Sequence, residues 1–427
     1  MKLKIKLSKI IKFSLVIFFL CGYNFFYLIS FPGFTNNDFR YLCLLGIITT
    51  VALYFGKGNR LIGTQTPGRG LNYYVILTII SLGCLTIFTF LTYPLQDFRF
   101  TFWMICNYLM VIWAYPIYFL MIKDKTEIKV LDIVTFISLI WSVLVLLQSF
   151  FYMHNGNMLF SFLDGAYVGI RDDRIRMSMG PFVNFSVIYC FWVLYFKKYP
   201  KRKLYHLISL IILFLAVVMV QQSRAALIAI FATVIAMILF DTNRGYRLIK
   251  KAVICIVLLL ILIMTDYIKS FFTSMFTKYE VSVTARVYAS DYFWSVFENN
   301  PIFGFGLLKS PEYNYIRNGS LGIASTDDVG IIGQFAYLGI FALIIVLGLY
   351  IYLIRLIWLV RKRTGEFNCL MVGAMAYLLF TSTTLIVFDQ QRICLLPIVV
   401  ALFEYYRSKV NDKKTQLNII FSRRKAE

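Results

Sequence analysis

The sequence predicts an all-α integral membrane protein with about twelve transmembrane helices, and three observations carry this prediction. Of the 427 residues, 60% are hydrophobic and only 15% are charged, whereas soluble proteins are close to a quarter charged. The mean hydropathy is +0.74. The apolar runs are continuous over about 15 to 24 residues, which suits helices crossing a bilayer. Strands of an outer-membrane barrel would alternate in polarity instead.

Twelve apolar runs are predicted to cross the membrane. They cover residues 10–31, 41–55, 71–93, 100–122, 130–153, 177–196, 204–220, 225–240, 252–265, 329–354, 368–388 and 393–406. Only Gln221-Gln222-Ser223-Arg224 separates the seventh run from the eighth. Basic residues flank this pair of runs on both sides. Both flanks are expected in the cytoplasm, so the number of crossings between them must be even.

The net charge of +22 is explained by the topology of the chain. With a cytoplasmic N-terminus, 31 of the 43 Lys and Arg residues fall in cytoplasmic segments, as the positive-inside rule requires. These residues also favour contact with anionic membrane lipid, and none is left over to indicate nucleic acid as a partner. We therefore expect a single multi-pass domain in the cytoplasmic membrane, with both termini cytoplasmic and a basic tail at residues 407–427. The first run is read as a membrane span because no small-residue cleavage site follows it.

Neither a metal nor a cofactor is predicted. All eight cysteines lie inside the predicted spans, where they are expected to be packing residues. The chain has only two histidines, which excludes a histidine-rich metal centre. Phosphate-binding loops of the Walker type and dinucleotide fingerprints do not occur in the sequence.

The longest predicted extracytoplasmic segment is the loop at residues 266–328, and any chemistry is expected there. Residues 284–299 of this loop are predicted to form a helix, because Ala289 and Phe293 recur at helical spacing before the stop signal Asn300-Pro301. Arg286 lies seven residues before Phe293, on the same helix face. It is placed to meet a lipid phosphate, although an arginine covering apolar surface would have the same position.

Glycines and carboxylates mark the end of this loop. Gly304 and Gly306 form a turn that allows another backbone to approach closely. Asp327 and Asp328 lie at the loop end, directly before the tenth predicted span. A carboxylate here can stabilise the first turn of the next helix, or it can act as a general base toward a sugar hydroxyl. The sequence leaves both interpretations open.

Arginine dominates the extracytoplasmic basic residues. Nine of the 12 are Arg, and guanidinium binds phosphate in a bidentate way. An extracytoplasmic ligand with a phosphate or pyrophosphate is therefore indicated, unless these arginines only pair with neighbouring acidic residues. Arg224 lies at the end of the predicted hairpin of spans. The second candidate anion site consists of Arg171, Arg174 and Arg176.

Taken together, these motifs resemble a family of bacterial membrane glycosyltransferases that includes the O-antigen ligases and the polysaccharide repeat-unit (Wzy-type) polymerases. The resemblance covers roughly residues 200–345 as motifs and the remainder as layout. It lies in Ser223-Arg224-Ala225, Arg286, Trp294, Asn300-Pro301-x-x-Gly304-x-Gly306, Asp327-Asp328, Gly330-Ile331-Ile332-Gly333 and Tyr337-Leu338-Gly339. It implies that Arg224 and Arg286 hold the pyrophosphate of an undecaprenyl-linked glycan, and that the loop end with Asp327 and Asp328 presents the hydroxyl of the acceptor.

One departure from the family pattern bears on the reaction. Ligases of this family have a histidine where this chain has Asp327-Asp328, and residues 266–328 contain no histidine. The departure favours a polymerase of O-antigen, capsule or exopolysaccharide units, with a chain-length regulator and a flippase as further partners. An O-antigen ligase is the first alternative. A lipid-linked oligosaccharide flippase or transporter is less favoured, because the ionisable residues lie near the span ends. A structural subunit of an export complex would not explain the arginine bias.

Overall fold

The computed structural model describes most of the chain, with gaps. The described residues are 7–22, 39–55, 67–160, 167–171, 174–177, 179–180, 182–197, 202–241, 280–326, 329–384, 386–389 and 392–426. The predicted ninth span, at residues 252–265, lies outside them, as do Asp327 and Asp328.

Helices make up nearly all of the described chain. The helices are α1 (Leu7–Gly22), α2 (Arg40–Phe55), α3 (Arg69–Thr92), α4 (Phe98–Leu109), α5 (Ala114–Asp124), α6 (Ile128–Asn155), α7 (Val183–Phe196), α8 (Lys203–Ala216), α9 (Arg224–Phe240), α10 (Glu280–Asn299), α11 (Ile331–Leu338), α12 (Gly348–Thr364), α13 (Cys369–Thr381) and α14 (Leu395–Ala426). A 3₁₀ turn at Met110–Trp113 joins α4 to α5, and π-helical turns extend α8 (Val217–Gln221) and precede α12 (Leu343–Leu347).

Five helical stretches in the described part of the chain are long and apolar enough to cross a membrane. They are Arg69–Thr92, Phe98–Asp124, Ile128–Asn155, Lys203–Gln221 and Leu343–Thr364. Helix α3 illustrates their pattern: Ile80 and Leu91 point outward, whereas Thr78, Ser81 and Thr89 are buried. Apolar side chains on the outer face and small polar side chains on the inner face are expected of a helix with lipid on one side. The chain is thus a largely helical membrane protein.

Helices α4 and α5 form the centre of the bundle. Of the stretches long enough to cross a membrane, this one is the most buried, and Trp113 is fully enclosed. The indole Nε1 of Trp113 donates to the carbonyl oxygen of Leu42 at 2.9 Å. A Cβ on Gly46 would lie 2.6 Å from this indole nitrogen, so α2 can pack against the ring only because residue 46 has no side chain.

The predicted break between the seventh and eighth spans is confirmed. Helix α8 ends in the π-helical turn Val217–Gln221, and Gln222 adopts a left-handed conformation with φ of 49°. The Ser223 hydroxyl then accepts from the backbone N–H of Ala226 at 3.4 Å and caps α9. The two helices contact each other again farther along, since the rings of Phe214 and Phe231 lie 6.1 Å apart.

Two predicted span boundaries are wrong. The run predicted to start at residue 177 becomes helical only at Val183, because strands β1 (Tyr167–Arg171) and β2 (Arg174–Met177) form an antiparallel hairpin before it. The apolar run at 177–183 contains Gly180-Pro181, which disfavours a helix. The predicted span 329–354 is divided at Gly339, whose φ of +54° ends helix α11.

Most cysteines serve packing, as predicted. Six of the seven cysteines in the described part of the chain are buried, and none of the seven is in a disulfide bond.

Candidate functional site

The turn at residues 300–306 is docked onto helix α11. The Asn300 side chain donates to the carbonyl oxygen of Gly304 at 2.9 Å, which closes the turn. The next N–H, of Phe305, donates to the carbonyl oxygen of Ala336 at 2.8 Å. Gly304 has a φ of +57°, and a Cβ there would lie 2.1 Å from the Ala336 oxygen. The close backbone approach predicted from the glycines is therefore confirmed.

The other side of the same contact depends on Gly339. The N–H of Ile340 donates to the carbonyl oxygen of Pro301 at 2.8 Å. A Cβ on Gly339 would lie 2.3 Å from the carbonyl oxygen of Ile302. The glycines of the 300–306 turn and of the Tyr337-Leu338-Gly339 motif thus permit one and the same backbone contact, although more than thirty positions separate them.

Helix α10 covers this contact, and its apolar face is the predicted one. Ala289 and Phe293 are buried, and the Phe293 ring lies 6.5 Å from that of Phe305. The structure starts the helix at Glu280, four residues earlier than predicted. Arg286, about two helical turns before the buried Phe293, is exposed.

Two tyrosines on α10 hold the loop that carries Arg317. The hydroxyl of Tyr292 donates to the carbonyl oxygen of Ile316, and partial burial raises the pKa of Tyr292 above its usual value. The hydroxyl of Tyr288 lies 3.2 Å from that of Ser320 and accepts from the N–H of Leu321 at 3.2 Å. These hydrogen bonds lower the pKa of Tyr288.

A polar cavity of about 370 Å³ lies where four parts of the chain meet, and we call it the junction cavity. Its volume is within the range of about 300–1,000 Å³ that is usual for small-ligand sites. Helix α4, the loop after α10, helix α11 and the segment after α13 all line it. The lining residues are Met104, Asn107, Tyr108, Lys309, Arg317, Asn318, Gly322, Ile323, Ala324, Ser325, Thr326, Gln334, Tyr337, Phe388 and Asp389.

Arg317 is the best-positioned cation in this lining. Its Nε donates to the Tyr337 hydroxyl at 3.1 Å, and its Nη1 donates to the carbonyl oxygen of Lys309 at 3.3 Å and to the Asn314 side chain at 3.0 Å. None of these bonds uses Nη2. No described carboxylate is within ion-pair distance of Arg317. The guanidinium is fixed in place, and its charge is not neutralised by a described neighbour.

The opposite wall of the junction cavity offers uncharged hydrogen-bonding groups and one ion pair. The Tyr108 hydroxyl donates to Gln334 Oε1 at 2.9 Å. The Asn107 Oδ1 atom is buried and accepts no hydrogen bond from any residue that the structure describes. Buried carbonyl oxygens without a donor are uncommon, so Asn107 is available to a ligand. Asp389 is paired with Arg392.

The loop wall of the cavity is attached to the connection between α3 and α4. Gln96 Oε1 accepts from the backbone N–H groups of Lys309 and Ser310 at 3.2 and 3.0 Å. The Ser310 hydroxyl accepts in turn from the N–H of Asp97 at 2.7 Å. The Lys309 ammonium lies 4.2 Å from the centre of the Trp103 ring, at a cation–π distance.

Of the arginines predicted as site residues, the two whose side chains the structure describes, Arg176 and Arg286, do not line the junction cavity. Arg176 lies on β2, where its Nε donates to the carbonyl oxygen of Gln221 at 3.3 Å. This contact places the hairpin beside the break that precedes Arg224. Arg171 and Arg174 face each other across the hairpin register. The side chains of Arg171, Arg174 and Arg224 are not among the parts that the structure describes, so their proximity to one another stays a prediction.

The general bases predicted at Asp327 and Asp328 also lie outside the described residues. Ser325 and Thr326, which precede them in the sequence, line the junction cavity. The cavity residues Asn107, Lys309, Arg317 and Gln334 were not among the predicted site residues. Only Arg317 carried a sequence signal, as one of the nine extracytoplasmic arginines.

The comparison with known protein families agrees with this arrangement of motifs. A family model described as O-antigen ligase matches residues 208–347. Residues 208–347, about a third of the chain, are therefore similar to the O-antigen ligase family, and we call them the O-antigen ligase domain. No curated protein matches the chain closely enough to be significant.

The O-antigen ligase domain includes α9, α10, the docked turn and α11, and it confirms the family predicted from the motifs at residues 200–345. Proteins of this family are glycosyltransferase-like membrane enzymes that handle lipid-linked glycans. Arg317, Lys309 and Gln334 lie within the matched residues, whereas Asn107, Asp389 and the β-hairpin lie outside them.

Proposed function

We propose that this protein polymerises lipid-linked oligosaccharide repeat units on the outer face of the bacterial cytoplasmic membrane. The growing glycan of O-antigen, capsule or exopolysaccharide is transferred from undecaprenyl pyrophosphate to the next lipid-linked unit. The observation that carries the choice of polymerase is Asp327-Asp328 in the O-antigen ligase domain, where ligases of the family have a histidine. Residues 266–328 contain no histidine at all.

The proposed transfer is a displacement at the anomeric carbon. The acceptor hydroxyl gives its proton to the carboxylate of Asp327 or Asp328, and its oxygen forms the new glycosidic bond. The bond from the anomeric carbon to the pyrophosphate oxygen breaks, and its electron pair leaves with undecaprenyl pyrophosphate. Configuration at the carbon is inverted. Neither a metal nor a nucleotide enters this scheme.

Arginines stabilise the charge that develops on the departing pyrophosphate. Arg224 and Arg286 are the proposed ligands of the donor. Arg176, with Arg171 and Arg174, is the proposed ligand set for the pyrophosphate of the acceptor. The hydrogen bond from Arg176 to the Gln221 carbonyl supports this assignment, because it brings the hairpin to the turn that leads into Arg224.

Both termini are proposed to be cytoplasmic, including the basic tail at 407–427. A flippase supplies the repeat units, and a chain-length regulator is a further partner in the same pathway. The family description leaves the ligase as the second candidate function. A ligase would move a finished glycan from the carrier to a different acceptor.

Gene deletion followed by electrophoresis of the cell-surface glycan tests the proposal. The deletion strain is complemented with wild type and with alanine variants of Arg224, Arg286, Asp327 and Asp328. Arg99→Ala is the matched control, because Arg99 is a strongly exposed arginine in another predicted extracytoplasmic segment. Membrane expression of each variant is measured in parallel.

The three candidate functions give different products. Glycan stalled at one repeat unit supports the polymerase, and arginine variants that fail to restore the ladder support the pyrophosphate site. Full-length polymer held on its lipid carrier identifies a ligase. Lipid-linked units trapped on the cytoplasmic leaflet identify a flippase and refute the mechanism.

A further inference from the structure

We propose that the junction cavity is a binding site for an acidic sugar of the glycan repeat unit, and that Arg317 binds the carboxylate of that sugar. This inference rests on the proposed function for the source of the sugar. It adds a substrate class, because it states that the repeat unit contains an acidic residue.

The fixed guanidinium of Arg317 is the first reason. Three hydrogen bonds through Nε and Nη1 hold the group in one orientation, and none of them uses Nη2. An arginine that is already positioned loses little side-chain entropy when an anion binds. Carboxylates accept paired hydrogen bonds from such a planar group.

The uncharged polar groups in the lining are the second reason. Asn107 Oδ1 is buried without a donor among the described residues, and the hydroxyl group of a sugar would supply one. Gln334 and Thr326 add an amide and a hydroxyl to the lining. Several uncharged acceptors and donors near Arg317 suit a polyol that carries a single anionic group.

The charge of the lining argues against a pyrophosphate. Apart from Arg317, the cavity is lined by one lysine, Lys309, and by one carboxylate, Asp389. A ligand with several negative charges is disfavoured beside a carboxylate. The arginines proposed for pyrophosphate, Arg176 and Arg286, are not part of this lining.

Ligand binding to the full chain, purified in detergent, tests the inference. The probes are D-glucuronate, the neutral analogue methyl α-D-glucoside, and inorganic pyrophosphate, measured by saturation-transfer NMR and calorimetry. Wild type is expected to bind glucuronate at least about tenfold more tightly than the neutral analogue, as a charged hydrogen-bond pair allows. Arg317→Gln is expected to remove this preference while weak binding of the neutral analogue persists.

Further variants separate a local effect from a general loss of structure. Arg317→Lys keeps the charge and is expected to retain part of the preference. Tyr337→Phe removes one positioning hydrogen bond and keeps the guanidinium, so the preference should fall by less than in Arg317→Gln. Arg99→Gln is expected to bind as wild type does. Equal preference in wild type and Arg317→Gln would overturn the inference, and so would tighter, Arg317-dependent binding of pyrophosphate.

The composition of the glycan separates this inference from the polymerase proposal. The polymer lost on gene deletion is hydrolysed and analysed for uronic acids and other carboxylated sugars. An acidic constituent is expected. A polymer that disappears with the gene but contains only neutral sugars would refute the acidic-sugar site and leave the polymerase assignment standing.

Discussion

Replacing Gly304 with alanine should separate the turn at residues 300–306 from helix α11. An alanine at a φ of +57° is strained by about 1 to 2 kcal/mol. The new Cβ would also lie 2.1 Å from the Ala336 oxygen, which no side-chain rotation can relieve. The turn must move away and give up the hydrogen bonds from Phe305 to Ala336 and from Ile340 to Pro301, both 2.8 Å long.

The magnitude follows from these losses. Each intramolecular hydrogen bond contributes about 0.5 to 1.5 kcal/mol net, so the loss of two bonds together with the backbone strain should lower the free energy of unfolding by about 2 to 5 kcal/mol. Gly156→Ala is the matched control. Its φ is +67°, and nothing lies within 4 Å of its Cβ position. The control has the same backbone strain but no steric clash, so its free energy of unfolding should fall by only about 1 kcal/mol.

The assay compares thermal unfolding of the two variants in the same detergent, followed by tryptophan fluorescence and by size-exclusion recovery. Gly304→Ala should unfold at a clearly lower temperature than Gly156→Ala and should fail to restore the glycan ladder in the deletion strain. If both variants unfold together and both restore the ladder, the docked turn is not needed for stability or for activity, and the reasoning is wrong.

Four other substitutions, one of them a matched control, test packing elsewhere in the chain. Phe293→Ala leaves a cavity at a fully buried position on α10 and should lower the free energy of unfolding by about 3 to 5 kcal/mol, which is measured as a lower unfolding temperature. An unchanged unfolding temperature would mean that α10 is not packed as described. Gln96→Leu leaves two backbone N–H groups, one of them on buried Ser310, without an acceptor. It should cost about 1 to 3 kcal/mol for each group and weaken glucuronate binding, and undiminished binding would show that the loop wall does not depend on this amide. Gly46→Ala places a Cβ 2.6 Å from a buried indole and should destabilise the protein by about 1 to 3 kcal/mol. Its control, Gly83→Ala, meets nothing within 4 Å and should stabilise its helix by up to about 1 kcal/mol. Equal unfolding temperatures for these two variants would contradict the packing described for Gly46.

Local signals were sufficient for the helical class and for several details. Long apolar runs predict helices that bury backbone hydrogen bonds within one segment, whatever the rest of the chain does. The break at Gln221 to Arg224, the helix that packs through Phe293 and the close approach at Gly304 were all predicted correctly, because a few neighbouring residues signal each of them. The boundaries at Val183 and Gly339 were missed because hydropathy does not distinguish a buried turn or strand from a membrane helix.

Composition, periodicity and short motifs are properties of contiguous segments, so they were sufficient to predict a helical membrane protein with motifs of the O-antigen ligase family. Which polar groups share a cavity depends instead on how distant segments pack. Tyr108 and Gln334 are 226 positions apart and lie within hydrogen-bond distance. Arg317 became a candidate binding residue because Tyr337 and the Lys309 carbonyl orient it. Such a site depends on how four distant segments pack, and no pattern along the chain records that arrangement.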